Sequence, residues 1–422
     1  MDIFNTLLDH IPIPKMVDVK QTYERPKIDD LENALVSHLE ESGLLNVVKK
    51  GMSIAVTAGS RGIASQPLIL KGIVSECKRR GAEPFIIPAM GSHGGATAEG
   101  QRSMLADMGV TEESVGAPIR STMEVVRVGT SENGLPAVID RYAAEADGII
   151  LFNRIKQHVA FRGPFESGLM KMIAIGLGKQ RGAELCHELG FGRMAENVPA
   201  IGKTVIANTN ILFAVGLVEN AYHEPCRLEV LAGKEIEKKE PPLLEEAKRL
   251  APKLYFDNLD VLIIDEIGKN ISGTGFDTNT VGRYHTPYAS GGPAIGKIAV
   301  LDITDVSHGN ANGIGIVDFT TQRVYGKLRF DQTYPNALST TVPASVKIPM
   351  VLKNDRHAIQ SAIRTCNILA KDKVRMVRIK NTMDMHTISV SENLLEEVKR
   401  HQRMEQSGGP YELNFNEEGN LL

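Results

Sequence analysis

The stretch MSIAVTAGSRGIASQPLILKGIVSECKRRGAEPFIIPAMGSHGG, residues 52–95, limits the fold more than any other. Ser53 to Thr57 is a short apolar run, read as a buried strand, and AGSRG follows as a turn. Pro67 to Lys78 reads as a helix, with apolar positions at Leu68, Ile69, Ile73 and Val74. Lys78, Arg79 and Arg80 close it and Gly81 is its stop signal. Glu83 to Pro88 is a second strand. Strand, turn, helix and strand make a βαβ unit, which joins parallel strands. Gly91 to Thr97 is another Gly-rich turn at a strand end, and a helix follows from Ala98 to Asp107.

The pattern recurs. Gly148 to Phe152 is a strand, followed by the loop Asn153 to Glu166, a Gly-punctuated segment Ser167 to Gly178, and a helix Lys179 to Glu188. Thr204 to Ala207 and Ala214 to Val218 read as further strands. The charged stretch Lys234 to Pro252 predicts a surface helix and a domain boundary. Asp260 to Asp265 and Lys297 to Ile303 then read as strands, each ending in a polar loop, GKNISGTGFDTNTVGR and DVSHGNANGIG. Helices are expected at Thr320 to Val324 and His357 to Ile368, and the tail after Asn393 is helical, then polar.

These elements predict an α/β protein of two α/β domains with mainly parallel sheets and a cleft between them. The expected division is 1–254, carrying the motifs below, and 255–392, closing over a substrate, with the tail 393–422 packing back on the first. A chain of 422 residues suits two large domains. Its 39 Gly, against 12 Phe, 9 Tyr and no Trp, suit many tight strand-to-helix turns.

Charge excludes some partners. Lys and Arg number 48 and Asp and Glu 51, a net of −3, so nothing global attracts nucleic acid or an anionic membrane. The four cysteines, at 77, 186, 226 and 366, form no CxxC motif and suit a reducing compartment. The N-terminus lacks the basic and apolar regions of a secretory signal. No apolar run reaches the roughly 18 residues of a membrane helix. A cytoplasmic location is expected.

Several residues could carry chemistry. The AGSRG turn, opening into a helix, offers backbone N–H groups to an anion, and Arg61 adds a forked cation; it also reads as a plain βα turn. His93 in GSHGGAT and His158 in NRIKQHVAFRG sit in loops after strands. Each is an acid/base near pH 7 or a turn-capping side chain, and as a pair they could work on two faces of one substrate. Lys171 lies in a nearly uncharged stretch, where an amine is either snorkelling or held in a site. His187 follows Cys186 on a helix, where neighbours point apart, so a single His ligand fits better than joint chelation, and on spacing alone a plain surface His fits better still. Lys269, Asn270, Asp277, Asn279, Arg283, His308 and Asn310 either close over a polar ligand or serve as turn and cap residues.

The run from TAGSRG through GSHGGAT to QHVAFRG, SGLMKMIAIGLG and CHELG resembles the lactate racemase superfamily, the nickel-pincer-nucleotide-dependent 2-hydroxy-acid racemases and epimerases. The resemblance covers most of the chain and is strongest from about 50 to 190. It implies two α/β domains with the cofactor between them. It implies that His93 and His158 serve as acid and base on the two substrate faces, and that Lys171 holds the cofactor covalently as a thioamide. It implies that His187, 16 residues on, ligates nickel, and that Arg61, with Gly59 and Ser60, lies at the cofactor. Hydride would pass from the substrate α-carbon to the cofactor and back.

Three features depart from the family pattern. Ala58 or Gly59 stands where an acidic residue is usual, the interval from His158 to Lys171 is longer, and Trp is absent. Together with the polar loops holding Lys269, Asn270, Asn279 and His308, they imply a sugar acid or another polar hydroxy acid rather than lactate. Two other classes are open: a nickel-independent isomerase or dehydratase of hydroxy or sugar acids on this fold, and a non-catalytic protein binding the cofactor or an organic acid. No oligomeric state follows.

Overall fold

A computed structural model describes residues 3–60 and 62–422. Its strands in chain order are β1 (Met16–Gln21), β2 (Ser53–Ala58), β3 (Glu83–Pro88), β4 (Val125–Thr130) and β5 (Pro136–Asp140). There follow β6 (Gly148–Arg154), β7 (Ile211–Glu219), β8 (Pro225–Ala232), β9 (Asn258–Ile267) and β10 (Ala294–Ile303). The last are β11 (Phe319–Thr321), β12 (Met350–Leu352), β13 (Met376–Ile379), β14 (Thr387–Ser391) and β15 (Met404–Gln406). The chain forms two units, Glu24–Ala251 and the stretch up to Tyr23 joined with Pro252–Leu422. The architecture is mixed α/β with mainly parallel large sheets.

The unit Glu24–Ala251 holds a sheet in the order β3-β2-β6-β7-β8. All pairs are parallel except β7 with β8, a hairpin at the edge. Ile54, Ala55, Val56, Thr57 and Ala58 of β2 are all buried, because both sheet faces are covered. One face meets Leu35 and Leu39 of helix Leu31–Glu41 and Ile69, Ile73 and Val74 of helix Gln66–Arg79. A separate β4–β5 hairpin packs on helix Met194–Asn208.

Thr204–Ala207, expected as a strand, belongs to that helix. Its β-branched residues suggest a strand locally. However, the fully buried apolar positions are Met194, Val198, Ile201 and Val205, the period of one helix face, and that burial decides the conformation. Thr320 likewise lies in β11, and Thr321 caps a helix that begins at Gln322.

The other unit is one eight-stranded sheet, β12-β11-β10-β9-β13-β14-β1-β15. The pairs from β12 to β13 are parallel and the rest antiparallel. The chain ends therefore fall differently from the expected division at 254. β1 runs antiparallel between β14 and β15, so the first strand joins the sheet of the later residues. The tail joins the same unit: Tyr411 Oη donates to Asp18 Oδ1 at 2.7 Å, and the Leu421 N–H to Asp355 Oδ2 at 2.9 Å. Leu413, Phe415 and Leu421 pack against the face covered by helix Asp355–Thr365. No described helix is long and apolar enough to cross a membrane.

Candidate active site

The segment after β6 is shaped by glycine and by one buried acid. Glu240, on helix Ile236–Leu250, accepts the Met170 N–H at 2.8 Å and also bonds the N–H of Leu169, capping the turn Leu169–Lys171. A Cβ on Gly168 would meet the Glu240 carboxyl at 2.0 Å, so only glycine fits. The turn passes into a π-helical stretch, Met172–Gly176, and then helix Lys179–His187. Such widened turns redirect a chain and are frequent at functional sites. Burial pushes the Glu240 carboxyl up to about 8, against the pull of its two N–H partners.

His158 lies in the loop that begins at Ile155, pinned at its base by a bridge between Lys156 and Ser167. The fully buried Glu166 carboxylate accepts the His158 N–H at 2.7 Å and pairs with Lys248 at 3.0 Å. The His158 ring lies 4.5 Å from Phe161, centre to centre. Its Nδ1 accepts the Ala160 N–H at 3.1 Å. Its Nε2 is 2.8 Å from Lys171 Nζ. Lys171 and His158 are thus in direct contact.

His187 closes helix Lys179–His187. Its Nδ1 donates to the Ala183 carbonyl at 2.6 Å, which leaves the lone pair on Nε2. Part of the residue reaches solvent, but burial of the ring holds its pKa down at about 4; the Ala183 bond opposes this and the Lys171 charge adds to it. Phe191 joins the two histidines, its ring 5.4 Å from His187 and 6.0 Å from His158. The neighbouring Cys186 thiol is buried, and that burial pushes it up to about 12.

His93 stands at the start of the 3-10 turn Gly94–Ala96 after β3. Its Nδ1 donates to the Met90 carbonyl at 2.7 Å, and Nε2 again keeps the lone pair. The loop lies against the Lys171–His187 segment: a Cβ on Gly91 would be 3.2 Å from Ile175 Cγ2 and 3.6 Å from Ala183 Cβ. It also needs glycine at 94, where φ is +65° and a Cβ would sit 2.5 Å from the backbone carbon of Gly100. Gly94→Ala is expected to cost about 1–3 kcal/mol in denaturant unfolding.

Gly59 follows β2 beside Met172, whose Cε would be 3.5 Å from an added Cβ. Ser60 is half-buried in the bend that follows. Arg61 lies outside the described residues. The Glu219 carboxylate accepts the Ala64 N–H at 2.8 Å near the start of helix Gln66–Arg79 and pairs with Arg154 at 2.5 Å. One donor expected for an external anion is therefore already engaged.

The other unit carries the remaining polar candidates. The Lys269 amine donates to the Gly273 carbonyl and to Asn336, and the Asn270 side-chain oxygen accepts from Thr304 and Ser307. His308 is the left-handed residue closing a turn at the end of β10, and Asp277 caps the short helix carrying Asn279. Arg283 pairs with Asp318 at 2.5 Å, and Asn310 donates to the Gln332 carbonyl.

Glu166 and Glu240 escaped the sequence reading. Glu240 sits in KEIEKKEPP beside charged residues and prolines, and its spacing from Ile236, Leu243 and Leu244 on the buried helix face is the signal that could have found it.

Residues 10–197 match the family model described as the lactate racemase N-terminal domain. Among solved structures, the chain is similar to the lactate racemase apoprotein from Thermoanaerobacterium thermosaccharolyticum. The match has 15% identity and a TM-score of 0.51, and covers 87% of this chain and 98% of that one. At that identity the likeness speaks for the fold. No curated protein matches the sequence.

Proposed function

We propose that the chain, whose residues 10–197 match the lactate racemase N-terminal domain, is a racemase or epimerase of a 2-hydroxy acid, with a sugar acid or another polar hydroxy acid as substrate. The observation that carries the reading is the contact of His158 with Lys171 and the link of both histidines, 158 and 187, to Phe191. His158 Nε2 lies 2.8 Å from Lys171 Nζ, and the His93 ring is fixed by its Nδ1–H to the Met90 carbonyl on a loop that lies against the Lys171–His187 segment. A proton relay between mirror-image alcohols needs one acid and one base at the start of a turnover, the roles His93 and His158 would share. For the opposite enantiomer the roles exchange.

The residues present fit a nickel-pincer nucleotide. Lys171 would carry it covalently, and His187 Nε2 would be the single protein nitrogen on nickel. Its ring is fixed by the Ala183 carbonyl in the manner usual for metal-bound histidine. No group of three His, Cys, Asp or Glu side chains able to hold a metal occurs among the described residues, so the remaining donors would come from the cofactor. When bound, the cofactor supplies a carbon that accepts and returns hydride. The protein's share is to orient the hydroxy acid and hold the proton at His93 or His158. The Gly59–Ser60 bend beside Met172 would border the cofactor.

The test is intact-protein and peptide mass spectrometry, with metal analysis, on protein co-produced with cofactor-making enzymes. A mass increase on the Lys171 peptide with about one nickel per chain is expected. Protein showing neither overturns the reading. His187→Ala should lose the nickel with the circular dichroism spectrum unchanged; retained nickel removes His187 as the ligand.

A further inference from the structure

Lys179 stands eight residues after Lys171 and eight before His187, at the joint between the π-helical stretch and the helix that ends in His187. Two things about it are costly. Its side chain is 0% exposed, and its φ is +55°, the left-handed region that glycine occupies without strain. A glycine here would remove both costs, so the amine must do something in return.

It makes two hydrogen bonds and one ion pair. Lys179 Nζ donates to the Pro88 carbonyl, the last residue of β3, at 2.5 Å. It donates to Gln101 Oε1 at 3.1 Å and pairs with Asp140, also fully buried at the end of β5, at 3.0 Å. Burial lowers the pKa of the amine and raises that of the carboxyl, and each charge counters the shift in the other. The Asp140 N–H in turn bonds the Leu177 carbonyl, two residues before Lys179, at 2.7 Å.

Gln101 carries the connection onward. With its oxygen fixed by Lys179, its amide nitrogen is turned to the other side. There it donates to the carbonyls of Gly91 at 2.9 Å and of His93 at 3.2 Å. One buried ammonium therefore ties the His93 loop, the end of β3, the end of β5 and the Lys171–His187 segment to a single point.

We propose that Lys179, acting through Gln101, is a positioning residue that sets where His93 stands relative to Lys171 and His187. The claim rests on the reading of His93 as an acid/base residue, and it assigns the amine no contact with substrate or cofactor. Lysine is suited to the task because its three donors radiate from one atom, so the three tethered elements converge there. Gln101 is suited because it accepts on one side and donates on the other, whereas a carboxylate only accepts.

That difference supplies the test. Gln101→Glu keeps an acceptor for Lys179 and removes both donors to the His93 loop; Lys179→Met removes the hub. In the full-length apoprotein, the rate at which diethyl pyrocarbonate modifies His93 is read by peptide mass spectrometry against the exposed His10. Thermal unfolding is followed alongside. Gln101→Glu is expected to change the His93 rate relative to His10 at least threefold while the unfolding midpoint moves by a few degrees. In the loaded enzyme kcat should fall about tenfold with KM within about twofold, the signature of a misplaced group rather than lost binding. The Lys171 adduct should persist. If Lys179→Met fails to fold, Gln101→Glu decides alone. An unchanged His93 rate, with only a lowered midpoint, overturns the proposal and leaves a structural ion pair. A changed rate in a protein whose wild type carries no nickel supports the positioning role and counts against the racemase reading, so the two can fail separately.

Discussion

His158→Ala is expected to lower racemisation by two to four orders of magnitude, the usual worth of a positioned acid/base group. The loss has two sources. The variant lacks the imidazole that would exchange a proton with the substrate oxygen, and Lys171 loses the ring nitrogen 2.8 Å from its amine. Nickel content should remain at the wild-type level, because the His187 ring is held by its own bond to Ala183 and the edge of Phe191. His93→Ala should match it in size, since the scheme needs a base as well as an acid. Chiral chromatography of the product, with metal analysis of the same sample, checks both. Wild-type-like turnover in either variant ends the two-histidine scheme.

The second large effect is on stability. Glu240 has a pKa of about 8 in the folded protein, against 4.5 as a free side chain. Between those values the folded chain holds a proton that the unfolded chain has released. Stability from this group is therefore full below the unfolded value and declines as the pH rises, until it is gone above the folded value. The whole swing is roughly 5 kcal/mol. Glu240→Gln keeps an acceptor for the N–H groups of Leu169 and Met170 but cannot ionise. Guanidinium unfolding of the unit Glu24–Ala251 within the full chain should then show little difference between about pH 5 and about pH 9, whereas wild type should lose much of its resistance. Equal pH profiles for the two proteins would mean that the carboxyl is not neutral when folded.

The parallel sheet strands were the most legible part of the fold. β2, β3, β6, β9 and β10 are covered on both faces, so each is an apolar run ended by a turn, and such runs stand out without neighbours to interpret them. Helix Ala98–Asp107 was equally plain, since Thr97 caps it through the Gly100 N–H. β1 was not. Its six residues mix Val with Asp and Lys, and its partners lie near the other end of the chain. Nothing local states that pairing, and the same ignorance moved the tail to the wrong unit. In the candidate site, histidines and a lysine in glycine-rich loops were visible because such loops have no packing use for them. The residues that hold those loops were hidden. Glu166, Glu240, Gln101 and Lys179 are ordinary surface residue types, and only the fold buries them.

The position of β1 also has a temporal meaning. The chain contributes one strand to the eight-stranded sheet and then makes Glu24–Ala251 before returning. At about 5–20 residues per second, β1 waits roughly twenty seconds to over a minute for β14 to leave the ribosome. Glu24–Ala251 contains all the strands of its own sheet and has no such wait. On that order of synthesis the unit carrying His93, His158, Lys171 and His187 is assembled first, and the sheet that holds both chain ends is the last to close.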